Sequence, residues 1–282
     1  MKILTLKSTL KQKLGRLNSP VRELRYLGLD PNDLAGKPTV AIVGSRKPTP
    51  YGKQVTEMLA VELSRAGVVV VSGLAFGVDI IAHKAVLACG GETIAILPSG
   101  LNNIYPASHA RYAQQITERG SVISEYSDSH TPRSYDFLER NRIIAGLSDL
   151  IIIPEATEKS GSLNTAKHAK AMNIPICAVP GPINSPLSSG TNLLIKQGAN
   201  LITSSEDILA LLNINPSTVQ LSLTGENEIE TLLLQAIADG FQDTALIGQE
   251  TEIKTKDLQT SLTMLEISGR ISQDAVGMWH LS

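Results

Sequence analysis

The stretch "TVAIVGSRKPTPYG", residues 39–52, decides the fold. Val40–Val43 is apolar at consecutive positions, as a strand covered on both faces must be. It runs into a turn at Gly44 and then a helical pattern over Gly52–Ala66, so the unit reads strand–turn–helix. A nucleotide-binding sheet keeps its phosphate loop at this point, yet the loop carries neither GxGxxG nor a Walker lysine. It offers Gly44 for a tight turn, Ser45 and free N–H groups to receive an anion, and the Arg46 guanidinium, which can fork onto a phosphate. A plain βα turn with a surface arginine accounts for the same letters.

Outward from that unit the pattern repeats. Apolar runs at Val68–Val71, Thr93–Leu97, Val122–Ser124, Leu150–Ile153, Ile176–Val179 and Leu201–Ile202 alternate with helical stretches. The helical stretches are Val78–Ala88, Arg111–Arg119, Asn141–Leu147, Leu163–Met172 and Thr191–Gln197. Such alternation means right-handed βαβ units, hence an α/β fold with a Rossmann-like, doubly wound, mostly parallel sheet over 39–212. Residues 1–38 read as an N-terminal extension with one or two short helices, too small for a domain. Residues 213–227 mix Asn, Pro, Ser, Thr and Gly as a linker does. Two or three helices and a glycine-containing hairpin then suggest a small C-terminal winged-helix domain over 228–282.

The 282 residues, 42% apolar and 18% charged, are those of an ordinary globular chain with room for a large domain and a small one. The net charge of -2 argues against a general polyanion binder. Its distribution is uneven: residues 1–37 hold eight Lys/Arg against three Asp/Glu (+5), and residues 226–282 hold three against ten (-7). A grip on nucleic acid would therefore come from a local pocket, not a broad basic face. Met1–Leu10 carries lysines without an apolar core, and no apolar stretch approaches roughly 18 residues, so neither signal peptide nor membrane span is expected. Cys89 and Cys177 stand in apolar settings, which fits a reduced cytoplasm and core packing. No disulfide, metal or cofactor is expected.

In a doubly wound sheet ligands bind where the carboxyl ends of the strands meet their loops. Besides the Arg46 loop, three such loops stand out. In "SGLAFGVDIIAH", residues 72–83, Asp79 and His83 are four apart on a helix face. They read as acid–base machinery, half a metal site, or a cap with a buried imidazole. In "SYDFLERNRIIAGLSD", residues 134–149, Arg140, Asn141 and Arg142 are expected at a helix N-terminus with Phe137 just before. Guanidiniums, helix N–H groups and an aromatic ring together suit a phosphate and its base. Arg142 could equally be an ion-pair partner of Asp149 or Glu155. In "PEATEKSGSLNTAKHA", residues 154–169, the turn Ser160, Gly161, Ser162 feeds a helix and makes an anion nest.

Taken together, these words resemble the DNA-processing protein A family (DprA, also called Smf). "VAIVGSR", "VVSGLAFGVDIIAH", "GGETIAIL", "GLNNIYP", "FLERNRIIAGLSD", "SGSLNTA" and "AVPGPI" occur in its order and spacing from about Pro20 to Asp207. The resemblance implies a non-enzymatic single-stranded DNA-binding protein, dimeric through the Rossmann-like domain. It would protect incoming DNA in natural transformation and help load RecA recombinase. It assigns DNA contacts to Arg46 in the GSR loop (Gly44, Ser45, Arg46), to Phe137, Arg140 and Arg142 around RNR, and to the neighbouring Ser160–Ser162 turn. The helical domain that precedes the sheet in longer members has no counterpart among these residues.

The chain departs from the family pattern at Pro98, where glycine is usual, at Asn102, where aspartate is usual, and at Phe76, where a basic residue is common. Phe76 either weakens a phosphate contact or adds a stacking surface. Two other classes share the architecture: a sensor of free nucleotides, and a nucleoside-monophosphate hydrolase with a PGGxGTxxE loop. Here "SGSLNT" puts Thr165 near the position of that glutamate, and no other carboxylate is expected at the sheet edge.

Overall fold

In the computed structural model, which describes residues 2–214, 225, 227–274 and 277–281, the strand that decides the fold has no solvent face. Along β3 (Thr39–Ile42), Val40 and Ile42 enter one apolar cluster, while Ala41 and the following Val43 enter another. β4 (Val69–Ser72) and β7 (Leu150–Ile153) alternate in the same way, with Val70 and Ile152 on one side and Val71 and Ile151 on the other. Successive side chains of a strand point to opposite faces, so a run of β-branched residues is stable only between two layers of helices.

Those layers are present. Leu59 and Leu63 of α3 (Pro50–Arg65) and Val86 of α4 (Val78–Ala88) cover one face. Ile143, Ile144 and Leu147 of α6 (Ser134–Leu147) and Ala166 and Ala169 of α7 (Ser162–Ala171) cover the other.

The remaining strands of the sheet are β1 (Lys2–Ile3), β2 (Arg25–Gly28), β5 (Thr93–Leu97), β6 (Ser121–Ser124), β8 (Ile176–Ala178) and β9 (Asn200–Leu201). Helices α2 (Pro31–Leu34), α5 (Ala110–Arg119), α8 (Ser189–Lys196) and α9 (Ser205–Leu211) lie between the strands in the chain or follow β9. Among the described residues the sheet has nine strands in the order β1-β2-β6-β5-β4-β3-β7-β8-β9. From β6 to β9 all pairings are parallel. The chain winds outward from β3 through β4, β5 and β6, then returns to place β7 on the free side of β3. The fold is thus the Rossmann-like, mostly parallel sheet expected, and its topological switch point lies between β3 and β7.

Residues 1–38, read as an extension, contribute two antiparallel strands: β2 pairs with β6, and β1 with β2. Helix α1 (Ser8–Leu14) lies on α6 and buries Leu10 and Leu14. Its Lys13 ammonium reaches Asp149 Oδ2 and Thr39 Oγ1, each at 2.7 Å.

By its contacts the chain divides into two compact units, Met1–Val219 and Gln220–Ser282. Most of the linker read at 213–227, namely 215–224 and 226, lies outside the described residues. The second unit holds α10 (Glu228–Ala238), α11 (Thr244–Thr251) and α12 (Thr255–Ile267), followed by an antiparallel ribbon of β10 (Ile271–Gln273) and β11 (Trp279–Leu281). Leu233, Leu234, Ile247, Leu258, Leu262 and Trp279 form its own core. The Trp279 indole N–H is not left unpaired there, since it donates to Thr244 Oγ1 at 2.9 Å.

Candidate functional site

The loops that follow β3 and β7 meet at the switch point, where such sheets open a crevice. Backbone bonds fasten them to each other and to the start of α4: the Ser45 N–H donates to the Glu155 carbonyl at 2.7 Å, and the Val78 N–H donates to the Ser45 carbonyl at 3.1 Å. The fit explains the glycines. A Cβ on Gly44 would lie 2.7 Å from Val78 Cγ2 and 2.8 Å from the Glu155 oxygen. Gly77 has φ +79° and sits against the backbone of Ser45 and Arg46, so a side chain would be both strained and blocked there. The buried Glu155 side chain completes the clamp by accepting from the Thr49 N–H at 2.8 Å and from Thr49 Oγ1 at 2.5 Å. Thr49 also caps α3, accepting from the Gly52 N–H. The Arg46 loop is therefore a fixed edge of the crevice.

The crevice holds a cavity of about 450 Å³. Its wall combines Gly44, Ser45, Arg46 and Lys47 with Phe137, Arg140 and Asn141, and with Ser160, Gly161 and Ser162 across from them. At the rim the exposed Arg46 guanidinium stands 5.3 Å from the centre of the half-buried Phe137 ring. A cation beside an aromatic face leaves N–H groups for an anion and ring surface for a flat apolar group. Tyr105 meets the same Phe137 ring edge-on at 5.4 Å.

Helix α6 begins at Ser134, not at Asn141, so Arg140, Asn141 and Arg142 are inside it and no helix N–H faces an anion there. Its first turn is held by the buried Asp136, which accepts from the Arg133 N–H at 2.7 Å and stands 2.8 Å from His130 Nε2. The three residues then part ways. Arg140 points inward and donates through Nη1 to the carbonyls of Gly73 and Ile96. Burial brings its pKa down to about 10, so it stays charged at neutral pH. Asn141 reaches across the cavity wall and donates to the Gly161 carbonyl at 3.2 Å, steadying the Ser160–Ser162 turn. In that turn the two serine hydroxyls lie 2.9 Å apart.

Arg142 turns away from the cavity. Its Nη2 meets Glu125 Oε2 at 2.5 Å, both side chains being less than a tenth exposed, and its Nε lies 3.6 Å from the more exposed Glu139. The ion pair foreseen with Asp149 or Glu155 is therefore made with Glu125. Asp149 is taken by Lys13, and Glu155 by Thr49.

Asp79 and His83 divide as well. Asp79 lines the cavity, so a carboxylate does stand at the sheet edge after all. It accepts from the Gly73 N–H at 3.1 Å, and burial raises its pKa against the opposing pull of Arg140, that amide and Arg46. His83 is fully buried, with Nδ1 2.8 Å from Thr93 Oγ1. Since Thr93 Oγ1 donates its own hydrogen to the Val70 carbonyl, the imidazole is a neutral Nδ1–H donor. Burial first, then the Arg140 charge, lowers its pKa to about 3. Among the described residues no His, Cys, Asp or Glu group has the arrangement of a metal site. Thr165 is buried in the cavity wall, presenting a hydroxyl where the hydrolase pattern has its acid.

Three features of the site escape sequence reading: the Glu155 clamp, Asp79 on the wall, and Tyr105 beside Phe137. The first leaves a trace, a carboxylate just beyond the apolar run of β7, and the second stands in the Asp79–His83 pair already singled out; the third leaves none.

The fold and site define a doubly wound α/β protein with a cationic, partly aromatic crevice at its switch point. The family model of DNA recombination-mediator protein A matches residues 6–213, and the chain belongs to that family. Protein Smf of Escherichia coli is 37% identical over 83% of this chain and 65% of its own length. DNA processing protein DprA of Streptococcus pneumoniae is 42% identical over 63% of each. The chain thus spans about two thirds of these relatives. Two solved structures are close to it: S. pneumoniae DprA, TM-score 0.67 at 40% identity over 70% of this chain and 69% of that one, and Helicobacter pylori DNA processing protein A, TM-score 0.68 at 38% identity over 75% and 96%. The H. pylori structure is described for its single-stranded DNA binding mode. Among the described residues no helix is long and apolar enough to cross a membrane.

Proposed function

We propose that the crevice binds single-stranded DNA, and that the protein protects incoming strands and helps load RecA recombinase on them in recombination and natural transformation. The observation that carries this reading is the Arg46 guanidinium 5.3 Å from the Phe137 ring at the mouth of a 450 Å³ cavity. A phosphate contact and a stacking surface in one place are what an unpaired nucleotide needs, and a duplex keeps its bases stacked out of reach. The buried Arg140 charge strengthens the field in the crevice. Asn141, Gly161 and the two serines form the opposite wall, and Arg142 acts at a distance by fixing α6 against Glu125. No turnover is assigned to the site: Asp79, the only acid among the described residues that line it, is engaged by the Gly73 amide and lies beside Arg140.

Assembly follows the family: a homodimer through the Rossmann-like domain, working in the cytoplasm. The second unit, three helices and a ribbon, is read as a winged helix. A mobility-shift titration with single- and double-stranded oligonucleotides of equal length, competed with mononucleotides, tests the reading. Distinctly tighter single-strand binding that mononucleotides do not displace is expected. Equal binding of duplex would refute it, and displacement by a mononucleotide would make the protein a nucleotide sensor.

A further inference from the structure

The rim of the crevice does not end at Phe137. Behind the Arg46–Phe137 pair lies a second, small depression lined by Arg46, Phe76, Tyr105 and Phe137. Phe76 and Tyr105 are nearly half exposed. Neither is loose. Tyr105 stands edge-on to Phe137, and Phe76 is edge-on to His109 at 4.9 Å. His109 is itself fixed, with Nδ1 2.8 Å from the Leu74 carbonyl, and it continues edge-on to Tyr112 at 6.4 Å. The exposed Lys84 ammonium closes the row, 5.6 Å from the centre of the Tyr112 ring.

From these contacts we infer that the single-strand site extends along Tyr105, Phe76 and Tyr112 to Lys84, as a track for the nucleotides next to the one held at Arg46. This rests on the function proposed above. The arrangement alternates what a single strand presents: flat bases meet ring surfaces, and a cation at each end meets a phosphate. Phe76 then supplies stacking where a basic residue would supply a phosphate contact, which resolves the two readings of that position. Exchange of charge for stacking makes this part of the site less sensitive to salt, because a ring releases no counterions.

The test measures affinity of the full chain for oligothymidylates of about 6 and about 20 nucleotides, a range spanning known single-strand site sizes, at several salt concentrations. Phe76→Ala is expected to weaken binding of the longer strand at least roughly fivefold without changing the salt slope. Lys84→Gln is expected to flatten that slope by about 0.7 log units, one phosphate's worth. Phe76→Lys should steepen it by a similar amount. Arg46→Ala, run alongside, should weaken both lengths. Wild-type behaviour of the Phe76 and Lys84 variants on the longer strand, with Arg46→Ala impaired, would overturn the track and leave the crevice standing. Wild-type behaviour of Arg46→Ala as well would overturn both.

Discussion

The carboxylate of Glu155, two residues beyond β7, holds Thr49 at both its N–H and its hydroxyl, 2.8 and 2.5 Å away. The loop that carries Arg46 is thereby tied to the loop that carries Ser160–Ser162 before any ligand arrives. Glu155→Gln keeps the shape but turns an amide toward the Thr49 donors. Hydrogen bonds to a charged group contribute about 1.5–3 kcal/mol each, so a loss of that order in chemical denaturation is expected, together with weaker DNA binding. Unchanged stability would show that the clamp is incidental.

Arg142 and Arg46 separate cleanly by their surroundings. Removing one partner of a buried ion pair leaves the other uncompensated, a loss of about 3–5 kcal/mol. Arg142→Ala, which strands Glu125, should lower the melting temperature strongly, whereas the exposed Arg46→Ala should alter stability by no more than about 0.5 kcal/mol. Equal melting temperatures for the two variants would contradict this assignment.

His83 predicts a pH dependence. Its pKa in the folded protein is about 3, against 6.5 for the free side chain. Between these values the unfolded chain takes up a proton at this position and the folded chain does not. Its contribution is therefore intact above pH 6.5 and is lost as pH falls toward 3, by up to about 1.4 kcal/mol per pH unit. Asp79, whose pKa is raised, acts in the opposite sense, so the comparison must be between wild type and His83→Gln. The stability difference should shrink as pH drops from 6.5. Parallel stability curves would refute the neutral buried imidazole.

Central strands were legible because burial on both faces writes itself into consecutive positions, as in Val68–Val71 and Leu150–Ile153. Strand β2, "RYLG", was not, since it is short and buries only Tyr26. The start of α6 was missed because its first turns, "SYDFLER", carry no apolar period and are set by Asp136, His130 and the Arg133 amide. Loop residues at the switch point could be named from the strand–turn–helix pattern alone, as with Arg46 and Ser160–Ser162. Which way a side chain on a buried helix turns could not. Arg140, Asn141 and Arg142 are adjacent in sequence, yet they go to the core, the cavity wall and Glu125 respectively. Partners 17 residues away, such as Glu125, leave no local mark.

The second unit carries ten acidic residues against three basic ones over 226–282, and its helix α12 has Lys256 offset by Asp257 and Glu266. Affinity for phosphates scales with the cations used. A chain truncated after residue 214 should keep single-strand affinity within about tenfold, or 1.4 kcal/mol. A larger loss would mean that this unit grips DNA and does not chiefly meet protein.

The most direct measurement of the central claim is the salt dependence of binding to one single-stranded oligonucleotide by wild type, Arg46→Ala and Phe137→Ala. Each phosphate contact contributes about 0.7 to the slope of log affinity against log salt for a single strand. Arg46→Ala should flatten the slope by roughly that amount and weaken binding across all sequences. Phe137→Ala should keep the wild-type slope while weakening binding by about 1–3 kcal/mol, the worth of one stacked base. Identical slopes for wild type and Arg46→Ala would contradict a phosphate at this loop, and with it the reading of the crevice as a single-strand site.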